Sequence, residues 1–134
     1  MNIAEALARM PQKGDMCLID EVLNWDAQHI ECMANHTLAD MPLLHDSGLS
    51  QMFWIEFGAQ AGALHSLLSD NQAMKSGLMV SLKQVYFYPG DAQQLYIKAK
   101  LLTALNHTKQ YTFTVCNQEQ SILCSGIVLV THQF

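Results

Sequence analysis

Between Leu49 and Leu68 the chain reads LSQMFWIEFGAQAGALHSLL, a stretch in which apolar side chains would fall on every side of a helix and the sole acidic residue is Glu56. A helix that is apolar all round has to be surrounded, either by the rest of its own domain or by lipid. The stretch is long enough to raise the question of a membrane span, but Gln51, Glu56, Gln60 and His65 interrupt it and no basic flank follows. It therefore reads as a core helix over Gln51–Leu68, about 27 Å long at 1.5 Å per residue, with Ser50 as its cap. Met52, Glu56, Ala59 and Ala63 share one stripe of that helix. Gly58 and Gly62 lower its helix propensity, a cost that a close approach to a sheet would offset. Glu56 poses the functional question, because a carboxylate set into an apolar run is costly unless it is paired or has work to do.

The flanking segments say what surrounds the helix. Asn2 with Glu5 resembles a capping arrangement, and Ile3, Leu7 and Met10 share a face before Pro11, which predicts a short leading helix. Two extended stretches follow, Met16 to Trp25 and His29 to Thr37, around the turn Asp26-Ala27-Gln28. In the second, Ile30, Cys32, Ala34 and His36 lie on one face by period two, and His36 reads as a core histidine. Asp40 to Ser50 reads as a loop, and so does SDNQAMKSG after the helix. From Leu78 onward the pattern is that of strands: GLMVSLKQVYFY, a turn at Pro89-Gly90-Asp91, then QLYIKAKLL, KQYTFTV and SILCSGIVLVT. Leu95, Ile97, Ala99 and Leu101 face one way while Lys98 and Lys100 face the other. Strands that do not alternate with helices argue against a parallel sheet, so the expectation is α+β: a curved antiparallel sheet wrapped around one long central helix, in a single domain over residues 1–134.

Composition narrows the function classes. Half of the 134 residues are hydrophobic and 14% are charged, too apolar for a disordered chain. A net charge of -5, with seven Lys and Arg and no basic run, argues against nucleic acid as a partner. Cys17, Cys32, Cys116 and Cys124 form no C-x-x-C pair and the histidines show no zinc spacing, so reduced core thiols and no metal are expected. MNIAEALARMPQKGD lacks the apolar stretch of a signal peptide, which points to the cytoplasm.

The order of two strands, a loop, one buried helix and then a run of long strands resembles the hotdog fold, and across nearly the whole chain the sequence resembles the beta-hydroxyacyl-[acyl carrier protein] dehydratases of fatty-acid synthesis. The likeness is carried by MPQKGDMCLIDEVL, MPLLHDSG, IEFGAQAGA, VYFYPGDAQQLYIKAKLL and LCSGIVLV. It is nearest to the small dehydratase-like proteins of aryl-polyene gene clusters. In that family the helix acid, matched by Glu56, works with a His on the preceding loop, usually 14 residues earlier. Here that position is Pro42, and the nearest loop histidine is His45, 11 residues before Glu56, without the family's Pro-Gly-Val ahead of the helix. Gln12-Lys13 also stand where the family commonly shows His-Arg.

The resemblance implies a 3-hydroxyacyl-thioester dehydratase whose acyl chain rides on the phosphopantetheine of acyl carrier protein or of coenzyme A, with no bound cofactor and no metal. His45 would be the base and Glu56 the acid. Backbone N–H groups around Gly48 and Leu49, at a helix N-terminus, would polarise the thioester oxygen. Gln60 would sit at the substrate or orient Glu56, and Trp54 would belong to the core or to an acyl-tunnel wall. His65, nine residues past Glu56, should face elsewhere. In the family two protomers pair and His and acid come from different chains, so a homodimer or a heterodimer with another hotdog subunit is expected. Two further readings stand beside the dehydratase: a hotdog acyl-thioesterase that uses the helix carboxylate, and a catalytically degenerate partner subunit of an active hotdog chain.

Overall fold

The computed structural model describes residues 3–8, 18–35, 47–70, 76–90, 92–106 and 108–133. In chain order these form α1 (Ile3–Ala8), β1 (Glu21–Trp25), β2 (His29–Ala34), α2 (Ser47–Asp70), β3 (Ser76–Phe87), β4 (Leu95–Leu105), β5 (Thr108–Cys116) and β6 (Ile122–Gln133). The six strands make one sheet in the order β1-β2-β4-β5-β6-β3, every neighbouring pair antiparallel.

The period-two alternation read from the sequence is what lines the inner face. Ile30, Cys32 and Ala34 of β2 stand opposite Ala99, Ile97 and Leu95 of β4, and all six are buried. The row continues from Ile97 to Val115 and from Ala99 to Phe113 on β5, then to Cys124 and Gly126 on β6. Lys98 and Lys100 project to the opposite, wet face. At roughly 25 cal/mol per Å² of apolar surface removed from water, this continuous face is the main driving force for closing the sheet on the helix.

Residues 57–68 of α2 are buried on every side, as a helix with apolar side chains all round requires. The sheet covers one side; α1 and the segment at Leu18 and Ile19 pack elsewhere in the same core. Gly58 and Gly62 lie where the helix meets β5. A Cβ at Gly58 would come within 2.5 Å of Phe113 Cγ, and one at Gly62 within 3.0 Å of Tyr111 Cδ2. The missing side chains make room for two aromatic rings of the same strand, spaced two residues apart where the glycines are four apart. That is the close approach the glycines were expected to serve.

The β1–β2 hairpin is tied by Asp26. Its Oδ1 accepts from the N–H groups of Gln28 and His29, both at 2.8 Å, and these two donors hold its carboxyl below the usual carboxylate range. Cys32, Cys116 and Cys124 are buried free thiols. Burial pushes the Cys32 thiol up to about 12 and Cys124 to about 11. Among the described residues no helix is long and apolar enough to cross a membrane.

Boundaries differ from the sequence expectations at α2 and at β1, β2 and β3. α2 begins at Ser47, not Gln51, so Ser50 lies inside the first turn and is not its cap. The first-turn N–H groups have no intrahelical acceptor in any case, so loop-like residues such as Ser47, Gly48 and Ser50 cost little there. α2 also continues to Asp70 and β3 starts at Ser76, which shortens the polar connection. β1 is confined to Glu21–Trp25: Asp20 still donates its N–H to Met33 O at 3.1 Å, but the ladder stops there. β2 ends at Ala34; His36, Thr37, Cys17 and Asp91 lie outside the described residues.

Candidate active site

Glu56 sits where α2 leaves the fully buried stretch: it and Ile55 are partly buried, while every residue from Phe57 to Leu68 is buried. The sequence pointed to a carboxylate sunk in apolar surroundings; the structure instead places it at the edge of the core. Its companion Gln60, one turn later on the same face, is 0% exposed.

The Gln60 amide works in two directions. Its Oε1 accepts the backbone N–H of Leu18 at 2.8 Å, and its Nε2 donates to Glu56 Oε1 at 3.0 Å. Gln60, considered from sequence for contact with substrate, is thus turned to Leu18 and Glu56. The Gln60 pairing was legible from the i, i+4 spacing. Leu18 was not, because a backbone donor 42 residues away leaves no mark on the residue types.

Trp54 is buried, with its ring 6.2 Å from that of Phe57 and tilted against it, so it forms part of the core. Gly48 and Leu49 fall in the first turn of α2, whose backbone N–H groups have no acceptor within the helix. His45 lies outside the described residues, so its distance from Glu56 is not part of this geometry.

His65 does face elsewhere. Its Nε2 donates to the carbonyl of Asp26 at 2.9 Å, because a carbonyl only accepts; in the neutral ring Nδ1 then accepts from the Tyr111 hydroxyl at 2.8 Å. The rings of Trp25 and Tyr111 meet it edge-on, with centroids at 6.5 and 5.4 Å. This cluster latches the β1–β2 hairpin to the C-terminal third of α2. A groove of about 440 Å³ on the outer face of the sheet, lined by Glu31, Lys98, Lys100, Thr112 and Thr114 among others, carries both signs of charge and lies on the far side of the sheet from Glu56.

The architecture recurs in solved structures. The dehydratase heterocomplex ApeI:P from Xenorhabdus doucetiae aligns with a TM-score of 0.81 at 19% identity, covering 96% of this chain and 91% of that one. A hypothetical thioesterase protein with coenzyme A from Streptococcus pneumoniae TIGR4 aligns at 0.60 and 14% identity, covering 84% of each chain. The PaaI protein from the phenylacetic acid degradation operon of E. coli aligns at 0.60 and 18%, covering 98% of this chain and 87% of that one. These likenesses show the hotdog fold. No curated sequence matches the chain. Residues 4–133 match the ApeP-like family, described as ApeP dehydratase, and the chain therefore belongs to that family of dehydratases.

Proposed function

We propose that the protein takes part in eliminating water from a 3-hydroxyacyl thioester carried on the phosphopantetheine arm of acyl carrier protein, in fatty-acid-like or polyene synthesis. The observation that carries this reading is a carboxyl group held at the edge of the core by a buried amide, in a chain of a dehydratase family. A base, for which His45 is the candidate, removes the proton from the carbon beside the thioester carbonyl. That electron pair forms the new carbon–carbon double bond, the C–O bond at the next carbon breaks, and the hydroxyl departs as water with a proton from Glu56. N–H groups of the first α2 turn, at Gly48 and Leu49, steady the charge that builds on the thioester oxygen. Neither a metal nor a bound cofactor has a part in these steps.

A second reading has its own support. His45 is 11 residues before Glu56, and ApeP-like dehydratases have a counterpart in a heterocomplex, ApeI:P. On that reading the chain is the partner subunit of another hotdog chain, which completes the site from across an interface.

Mass spectrometry of a 3-hydroxyacyl-[acyl carrier protein] incubated with the purified chain separates the possibilities. Loss of water that falls by about 10² to 10⁴ in Glu56→Gln supports the proposed elimination. Release of free acid identifies a thioesterase, no change until a second hotdog chain is added identifies the partner subunit, and wild-type turnover by Glu56→Gln refutes the role given to Glu56.

A further inference from the structure

The groove on the outer face of the sheet is set out by the strand register. His29 and Glu31 of β2 stand opposite Lys100 and Lys98 of β4, and these two lysines stand opposite Thr112 and Thr114 of β5. The six side chains form two rows across three strands and line a space of about 440 Å³, a size at which small-molecule sites are found. Its polar groups are not used up by one another. Asp26 Oδ1 accepts the N–H groups of Gln28 and His29 and the hydrogen of His29 Nδ1, the last at 3.2 Å. A carboxylate only accepts, so Nε2 is the ring nitrogen left for a ligand. Lys98 and Lys100 are exposed and have neither an ion pair nor a hydrogen bond among the described residues, although Glu31 lies directly across the ladder from Lys98. The Thr112 and Thr114 hydroxyls have no protein partner among those residues either.

We infer that this groove binds the phosphoryl group of a small molecule, with Lys98 and Lys100 on its oxygens and Thr112 and Thr114 donating to it. Two ammonium groups rooted about 7 Å apart on one strand, each with a hydroxyl opposite, make a rectangle of donors. The charge count favours a phosphoryl group over a carboxylate: two cations without a counter-ion match a group that carries nearly two negative charges and three acceptor oxygens at neutral pH. Lysine suits this task, since its charge rides on a flexible stem and does not need a fixed fork. The space exceeds what a phosphate ion fills, so the phosphoryl group is one end of a larger ligand, for which Asn24 and His29 Nε2 offer further polar contacts. Glu31 works against the anion, because only a long 3.4 Å bond from Asn24 engages its carboxylate, whereas three donors hold that of Asp26. The groove lies across the sheet from Glu56, so the inference is independent of the role proposed for that residue.

The test is titration of the full chain with inorganic phosphate and with ADP at low salt, followed by calorimetry and by the amide resonances of Thr112 and Thr114. Saturable binding that shifts both resonances is expected. Lys98→Gln and Lys100→Gln, which keep most of each stem on the wet face, should each raise Kd about threefold and together about tenfold. Thr112→Val with Thr114→Val should weaken binding while keeping the shape of β5. Glu31→Gln should do the reverse and tighten it about threefold, and added salt should loosen it. ADP binding well ahead of phosphate assigns the groove to a nucleotide; equal affinity means that the phosphoryl group alone is read. No saturable binding of either probe up to about 10 mM overturns the inference. So does binding that is unchanged in the double lysine variant, or that Glu31→Gln weakens.

Discussion

Replacing Gly58 by Ala adds one methyl group to a helix and, by intrinsic propensity alone, should stabilise it by roughly 0.5–1 kcal/mol. The structure predicts the opposite sign. The new Cβ would lie closest to Cδ2 of Phe113, with Cγ at 2.5 Å and Cε2 at 2.8 Å against 3.4 Å for ordinary contact, so the ring would have to withdraw by about 1 Å. It has nowhere to go: Phe113 is 2% exposed, and its far edge already rests on Gly126, where an added Cβ would be 3.1 Å from Cε1. Overpacking of this kind typically costs about 1–3 kcal/mol, which leaves a net loss of up to about 2.5 kcal/mol after the propensity gain. For a chain of this length that corresponds to a fall in Tm of up to roughly 10 °C by thermal denaturation. Gly62→Ala is the milder companion, since its Cβ would be 3.0 Å from the nearest Tyr111 atom. A double-mutant cycle with Phe113→Leu isolates the clash: in the smaller background the cost of Gly58→Ala should largely vanish. A Tm that rises in Gly58→Ala, or a cost that is the same with Leu at 113, would refute the account of why α2 carries glycines.

Two further perturbations probe the hairpin latch. Asp26 has its folded-state carboxyl held low by the Gln28 and His29 N–H groups. Its charge therefore contributes stability that is present above the ordinary Asp range near ~3.9 and is lost as pH falls through the lower folded value. Asp26→Asn keeps an acceptor without the charge, so the wild-type advantage in Tm should shrink as pH falls below about 4; a gap that persists undiminished in acid contradicts this. Tyr111→Phe removes the hydroxyl that meets His65 Nδ1 between two fully buried rings. It should cost about 0.5–1.5 kcal/mol in urea denaturation, and an unchanged midpoint would mean that the hydroxyl bond adds nothing to the latch.

How much of this was visible beforehand depends on the range of the interaction. β4 was legible from Leu95, Ile97 and Ala99 alternating with Lys98 and Lys100, because one face is core and the other is water. The core helix was legible because apolar side chains fall on every side of residues 57–68, and Gly58 and Gly62 announced a close neighbour without saying which. The start of α2 at Ser47 was hidden by residues that suit a loop and a first helical turn equally. The Leu18–Gln60 bond and the meeting of His65 with Tyr111 and Asp26 span 42, 46 and 39 positions and depend on how the sheet wraps, which no local spacing encodes. Glu56 could be singled out by its chemistry, while its place at the rim of the core required the fold.

The strand order also governs how the chain must assemble as it is made. β3 emerges directly after α2, yet its neighbour in the sheet is β6, while β4 and β5 pair as they appear. At roughly 5–20 residues per second of synthesis, β3 therefore waits some seconds with neither edge paired within the chain. Until Ile122–Gln133 arrive to slot between β5 and β3, α2 can settle on β2, β4 and β5 alone. A translation product broken off before Ile122 is left with an unpaired edge on β5 and a free twelve-residue strand at β3, two surfaces on which nascent chains can pair with one another.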